Sequence, residues 1–202
     1  MKAILISIRP QHTCNILNGI KGWEIRKKFP KDYVGWVYIY CTKDNKQKLC
    51  YVPATETFYC YPKDNIVAKQ CDRMGLTFNG KVVARFWCDK VEEITTRQDR
   101  FKEFMFYETS LDMEDLLKQS CLDYNELDNY LYGENGKAIH INDLEIFDKP
   151  KELSEFKKVL GSYDCSHDCQ NCNMAWFDNK ENKFKFECQL TKAPQSWCYV
   201  EI

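Results

Sequence analysis

No apolar run in this chain approaches the roughly 20 residues that a membrane-crossing helix needs. The apolar part of the opening segment, Ala3 to Ile8, is shorter than the core of a secretory signal. These two absences predict a soluble, cytoplasmic protein without membrane contact. Excess charge is lacking as well, since 29 Lys and Arg stand against 30 Asp and Glu, a formal net charge of −1. That balance argues against a protein that coats polyanions indiscriminately. There is no internal repeat and no low-complexity tract, which removes solenoids and repetitive disordered arrays.

What is present points to a packed interior. Of 202 residues, 44% are hydrophobic, with 12 Phe, 12 Tyr and 5 Trp, enough for one domain carrying a sizeable insertion. Twelve cysteines are mostly scattered. Cys14, Cys41, Cys88 and Cys121 sit inside apolar or helical runs, where a reduced thiol behaves as a small hydrophobe. The charges are unevenly placed. Residues 1–48 carry ten Lys/Arg against three acids, a net +7, and residues 103–155 carry fourteen acids against four bases, a net −10. A near-neutral chain so polarised is able to present one basic face to a phosphate-bearing partner, the alternative being a solvated face with no partner.

Along the chain, Ala3 to Arg9 reads as a buried strand and Pro10 to about Asn18 as a helix with Gly19 as its C-cap. Trp23 to Lys27, Gly35 to Cys41 and Gly80 to Cys88 read as strands. Residues 43–79 read as a polar, aromatic, irregular excursion. Ser110 to Ser120 and Asp123 to Tyr132 read as helices, the second opening on a capping box from Asp123 to Glu126. Lys137 to Phe147 reads as two short strands parted at Asn142-Asp143, and Pro150 as the start of a short helix to about Val159. Residues 161–192 are Cys-rich and weakly patterned, and Trp197 to Ile202 closes the chain as a strand. Short strands between helices of unequal length, without βαβ alternation, predict an α+β fold around a small, mainly antiparallel sheet or barrel.

The segment Gly19-Ile20-Lys21-Gly22-Trp23-Glu24-Ile25-Arg26 concentrates the chemistry. Alternation turns Trp23 and Ile25 one way and Glu24 and Arg26 the other, so a helix-to-strand corner gathers Lys21, Glu24 and Arg26. The segment resembles the Gly-x-Lys-x-x-Glu-x-Arg signature of ASCH domains, in the PUA-like superfamily. Leu5 to Pro10, Val37 to Thr42, Gly80 to Ala84, Ala138 to Ile141 with Ile146 to Pro150, and Pro194 to Val200 resemble that family's other strands, in order. The late pieces look like ASCH-like proteins of phages and Gram-positive mobile elements. The resemblance implies a small PUA-like β-barrel with flanking helices, formed by 1–160 and 193–202. It leaves 43–79 as an excursion and 161–192 as a Cys-rich insertion.

It also implies binding of RNA or a modified nucleotide through Lys21, Glu24 and Arg26, with Trp23, Arg9 and His140 beside them. Arg26 offers a planar donor fork, Lys21 a mobile charge, Glu24 an acceptor for an exocyclic amine, and a nearby aromatic such as Trp23, Trp36 or Tyr40 a stacking surface. One branch of the family hydrolyses an acetylated cytidine nucleoside. That branch keeps the signature lysine and has threonine at the position of Glu24, so binding ranks ahead of catalysis by Lys21. Two other roles remain open at this point: hydrolysis of a nucleoside derivative or of RNA at the same cleft, and a phage-type accessory protein that binds a host protein. The excursion at 43–79 or the acidic helices at 108–134 are the candidate protein surface, the helices otherwise being simply a solvated face. Glu24 and Arg26 have a structural alternative as an ion pair plugging the barrel mouth, and His140 as an ordinary strand histidine. In the insertion, Cys165, Cys169, Cys172 and Cys188 have the number and spacing for a structural four-cysteine zinc site, with His167 as a substitute ligand. A flexible insert with incidental thiols is the alternative.

Overall fold

A strand that is apolar at nearly every position is stable only where both of its faces are covered. The computed structural model, which describes residues 2–98, 105–158, 175–178, 183–186 and 189–201, gives the first such run that setting. The elements run β1 (Lys2–Ile8), α1 (Pro10–Leu17), β2 (Trp23–Arg26), β3 (Gly35–Cys41), β4 (Gln47–Val52), β5 (Thr57–Pro62) and α2 (Ile66–Arg73). Then come β6 (Val82–Cys88), β7 (Val91–Gln98), β8 (Met105–Glu108), α3 (Met113–Ser120), α4 (Tyr124–Leu131), β9 (Gly136–His140) and β10 (Asn142–Lys151). A 3-10 turn at Leu153–Glu155 leads to β11 (Lys157–Lys158), β12 (Ala175–Asp178), β13 (Lys183–Phe186) and β14 (Trp197–Glu201).

The main sheet has the order β10-β6-β3-β1-β14-β11. Its central pair, β1 and β3, is parallel, with Ile4 opposite Val37 and Ile6 opposite Ile39. Ile4, Ile6, Ile8, Val37, Ile39 and Cys41 bury one face together with Cys14, Ile16 and Leu17 of α1. Ala3, Leu5, Tyr38 and Tyr40 bury the other face with Val82, Phe156, Leu190 and Val200. A second sheet, β2-β9-β7-β8, is antiparallel throughout. Trp23 and Ile25 of its first strand pack with Leu116 of α3 and with Leu127 and Leu131 of α4. The fold is therefore α+β and mainly antiparallel. Among the described residues no ladder joins the two sheets, so the barrel takes the form of two open sheets.

Besides the short strands β8, β12 and β13, to which the sequence pattern assigns no element, three segments depart from the sequence reading. Residues 43–79 are ordered as the β4–β5 hairpin followed by α2, around a small core of Cys50, Ala68 and Cys71. Asn18, just past α1, docks this hairpin by giving and accepting hydrogen bonds at the backbone of Phe58 (2.8 and 3.1 Å). Pro150 opens no helix, because β10 continues through it to Lys151. Strand β10 lies at the edge of the main sheet, where a missing N–H breaks no ladder. Residues 91–98, to which the sequence pattern assigns no element, form β7. The proposed zinc ligands Cys165, Cys169, Cys172 and Cys188, with His167, lie outside the described residues. Among the described residues no helix is long and apolar enough to cross a membrane.

Candidate functional site

Helix α1 ends at Asn18, and Gly19 takes a left-handed φ of +69° that glycine adopts without strain. The following turn is fastened to its neighbours by backbone bonds from Gly22 N to Gln119 O (2.8 Å) and from Ile141 N to Gly22 O (2.9 Å). A Cβ on Gly22 would stand 3.3 Å from Oε1 of Gln119, so the turn lies close against the end of α3. From there β2 alternates as its sequence requires. Trp23 and Ile25 enter the apolar cluster under α3 and α4, and Glu24 and Arg26 face the opposite side.

On that side lies a cleft of about 1030 Å3, at the upper limit of the size of ligand pockets. Its walls come from the end of β1, the start of α1, β2 with the Lys27-Lys28 segment after it, α4 and its flanks, and Gln195-Ser196. At its base Lys21 and Glu24 are 3% and 5% exposed, which is unusual for these residue types and requires internal partners. Lys21 Nζ lies 3.4 Å from Glu24 Oε2 and donates to the carbonyl of Ser120. Arg26 Nη2 lies 2.9 Å from Glu24 Oε1 and donates to Ser7 O at 2.6 Å. Ser7 in turn is held by the C-terminal segment, its N–H giving to Ser196 O (2.8 Å) and its hydroxyl to Pro194 O (2.6 Å). Burial alone pushes the Glu24 carboxyl up, but Arg26 and Lys21 together outweigh it and hold it below the ordinary range.

His12, on the first turn of α1, faces the same cleft. Burial lowers its pKa, and the nearby cations Lys21, Arg26 and Arg9 act in the same direction against Glu24. Its Nδ1 and the Nε of Arg26 are buried and have no hydrogen-bond partner among the described residues. Around the rim stand Arg9, Lys27 and Lys28, and α4 contributes Tyr130, an aromatic 39% exposed. Lys27 reaches Glu134 beyond α4 at 2.8 Å, an ion pair of a half-buried lysine and an exposed glutamate.

The structure thus brings Lys21, Glu24, Arg26 and Arg9 to one cleft. Trp23 and His140 stand elsewhere. They are cross-strand partners on the other face of the second sheet, with ring centroids 4.7 Å apart, and His140 Nδ1 meets Asp89 Oδ1 at 2.7 Å. Trp36 and Tyr40 are also off the cleft: Arg85 covers the Trp36 ring at 4.1 Å, and Tyr40 is buried under the main sheet. Sequence reasoning missed His12 and Tyr130. The apolar residues of α1 leave His12 at the edge of the buried stripe, a weak signal that was nonetheless available. Tyr130 belongs to the acidic helices, whose inner face buries Leu116, Leu127 and Leu131 and whose α4 edge walls the cleft. These helices are therefore more than a solvated face. Among the described residues no group of three or more His, Cys, Asp or Glu is placed to hold a metal ion.

No family model matches the chain, and no curated protein matches it. Among solved structures it is similar to the ASCH protein of Zymomonas mobilis, at 15% identity and a TM-score of 0.43, over 75% of this chain and 73% of that one. Two point-substituted forms of the same protein give 15% identity with TM-scores of 0.43 and 0.42, covering 76% and 75% of this chain and 77% and 74% of theirs.

Proposed function

We propose that the cleft binds RNA or a modified nucleotide. The observation that carries this reading is the cleft itself: about 1030 Å3, rimmed by Arg9, Lys27 and Lys28, with Arg26 fixed at its base and Tyr130 in its wall. Cations at the rim suit a phosphodiester backbone, and a half-exposed tyrosine suits an unpaired base, a contact worth about 1–3 kcal/mol. The basic excess of residues 1–48 supports the same reading, because Arg9, Lys27 and Lys28 come from that stretch. So does the resemblance of residues 19–26 to the ASCH signature.

Binding stands ahead of hydrolysis in this reading because of where Lys21 points. Its ammonium donates to Ser120 and faces Glu24, so it is placed to hold the turn and α3 together rather than to activate water. Glu24 in turn fixes the plane of Arg26, which is the arrangement a preorganised donor requires.

Fluorescence anisotropy with a short single-stranded RNA tests the proposal. Wild-type protein is expected to bind at low salt, and Arg9→Ala with Lys28→Ala to weaken binding while reducing the salt slope by about one per lost phosphate contact. Absence of binding to RNA, mononucleotides and nucleosides alike at low salt overturns it.

A further inference from the structure

We infer that His12, together with the Nε–H of Arg26, forms the subsite that reads the hydrogen-bonding edge of the ligand's base. The inference rests on the nucleotide reading of the cleft and adds the residue that gives it selectivity. Two residues that line the cleft each carry a buried polar atom without a partner among the described residues, His12 Nδ1 and Arg26 Nε. A buried polar atom left unpaired is costly, so two at one cleft mark a place that a ligand's polar groups would satisfy. Nη2 of the same guanidinium is held by Glu24 and by Ser7 O. Its Nε–H is therefore a donor of fixed direction.

The imidazole brings the complementary property. It is faced by Arg9 at the start of its own helix, by Lys21 from the turn, and by Arg26 and Glu24 from β2. Three cations against one carboxylate, added to burial, favour the uncharged ring near neutral pH. An uncharged imidazole presents one donor and one acceptor nitrogen. The unpaired Nδ1, donor or acceptor according to tautomer, together with the Nε–H donor of Arg26 suits the edge of a nucleobase, which itself alternates donors and acceptors. A phosphate offers acceptors alone and is better served by the full charges of Arg9, Lys27 and Lys28 at the rim. The cleft so divides into a rim for the backbone and an inner wall for the base.

Isothermal titration of the full chain with adenosine, guanosine, cytidine, uridine and inorganic phosphate tests this, alongside the RNA used above. At least one nucleoside is expected to bind the wild-type chain, and His12→Ala and His12→Phe each to weaken it about tenfold or more. His12→Asn, which keeps a polar atom near the place of Nδ1, is expected to recover part of that loss. Phosphate affinity is expected to stay unchanged in all three variants. Unchanged nucleoside affinity in the Ala and Phe variants overturns the inference, as does an equal loss for phosphate. If RNA binds wild-type protein but no nucleoside does, the inference fails and the binding function stands. If nothing binds, both fall together.

Discussion

Glu24 is the residue on which the base of the cleft depends. It balances two cations in a site that water scarcely reaches, and removing one member of such a set typically costs about 3–5 kcal/mol because the others stay buried and unpaired. Glu24→Gln is therefore expected to lower the unfolding free energy obtained from urea titration at pH 7 by an amount in that range. The pH dependence has a definite sign. The folded carboxyl titrates below its ordinary value of 4.5, so its contribution is present in full above about pH 4.5 and is lost as pH falls through the folded value. Urea titrations from pH 7 down to pH 3 should show a steep acid loss in the wild type and a shallower one in Glu24→Gln. Parallel acid limbs for the two proteins would contradict this account. Residue-level chemistry was the most legible part of the sequence, because alternation alone separates Glu24 and Arg26 from Trp23. By the same rule Trp23 lies on the face away from the cleft, although its closeness in sequence makes it a candidate for stacking on a base.

At the scale of elements, legibility followed agreement between local signals. The strand at 2–8, the helix at 10–17 and the strand at 35–41 are consistent in pattern, propensity and punctuation, and each forms close to its expected place. The hairpin at 47–62 carries Tyr and Cys on both faces, so its period is hidden, and Leu49 and Cys50 are both fully buried. Strand β7 carries Glu92, Glu93 and Arg97, which argue against a strand until the register is known. Glu93 then lies opposite Lys137 and pairs with it, and Arg97 pairs with Glu108 across β8 (2.8 Å). Long-range pairing of this kind is absent from any local window. Helix α4 shows the opposite case, its start being written locally. Asp123 accepts from Glu126 N at 2.7 Å, and Glu126 Oε2 accepts from Asp123 N at 2.9 Å. Asp123→Ala is expected to cost about 1 kcal/mol. In a chain of this size that lowers Tm by about 2–4 °C, measurable by circular dichroism.

For the whole molecule, the thiols are built-in reporters of opening. Burial pushes Cys41, Cys50 and Cys88 up to about 12, so almost none of each is thiolate at ordinary pH. Alkylation by iodoacetamide at pH 8, followed by peptide mass spectrometry, is expected to label the half-buried Cys121 first among the described thiols. Cys41, deep between the main sheet and α1, should label only at the rate of global unfolding. Labelling of Cys41 as fast as Cys121 in native buffer would show that the sheet breathes locally.

The position of Ser7 has a kinetic consequence. Its carbonyl anchors Arg26, yet Ser7 itself is anchored by Pro194 and Ser196, the first of them 187 residues away along the chain. Contacts of such sequence separation close late and slowly, after local helices and hairpins have formed. A nascent chain can thus assemble β1, α1 and β2 early and carry the whole signature while its guanidinium still lacks a fixed seat. The seat of Arg26 is completed only when the segment leading into β14 docks, so the base of the cleft and the main sheet reach their final form together.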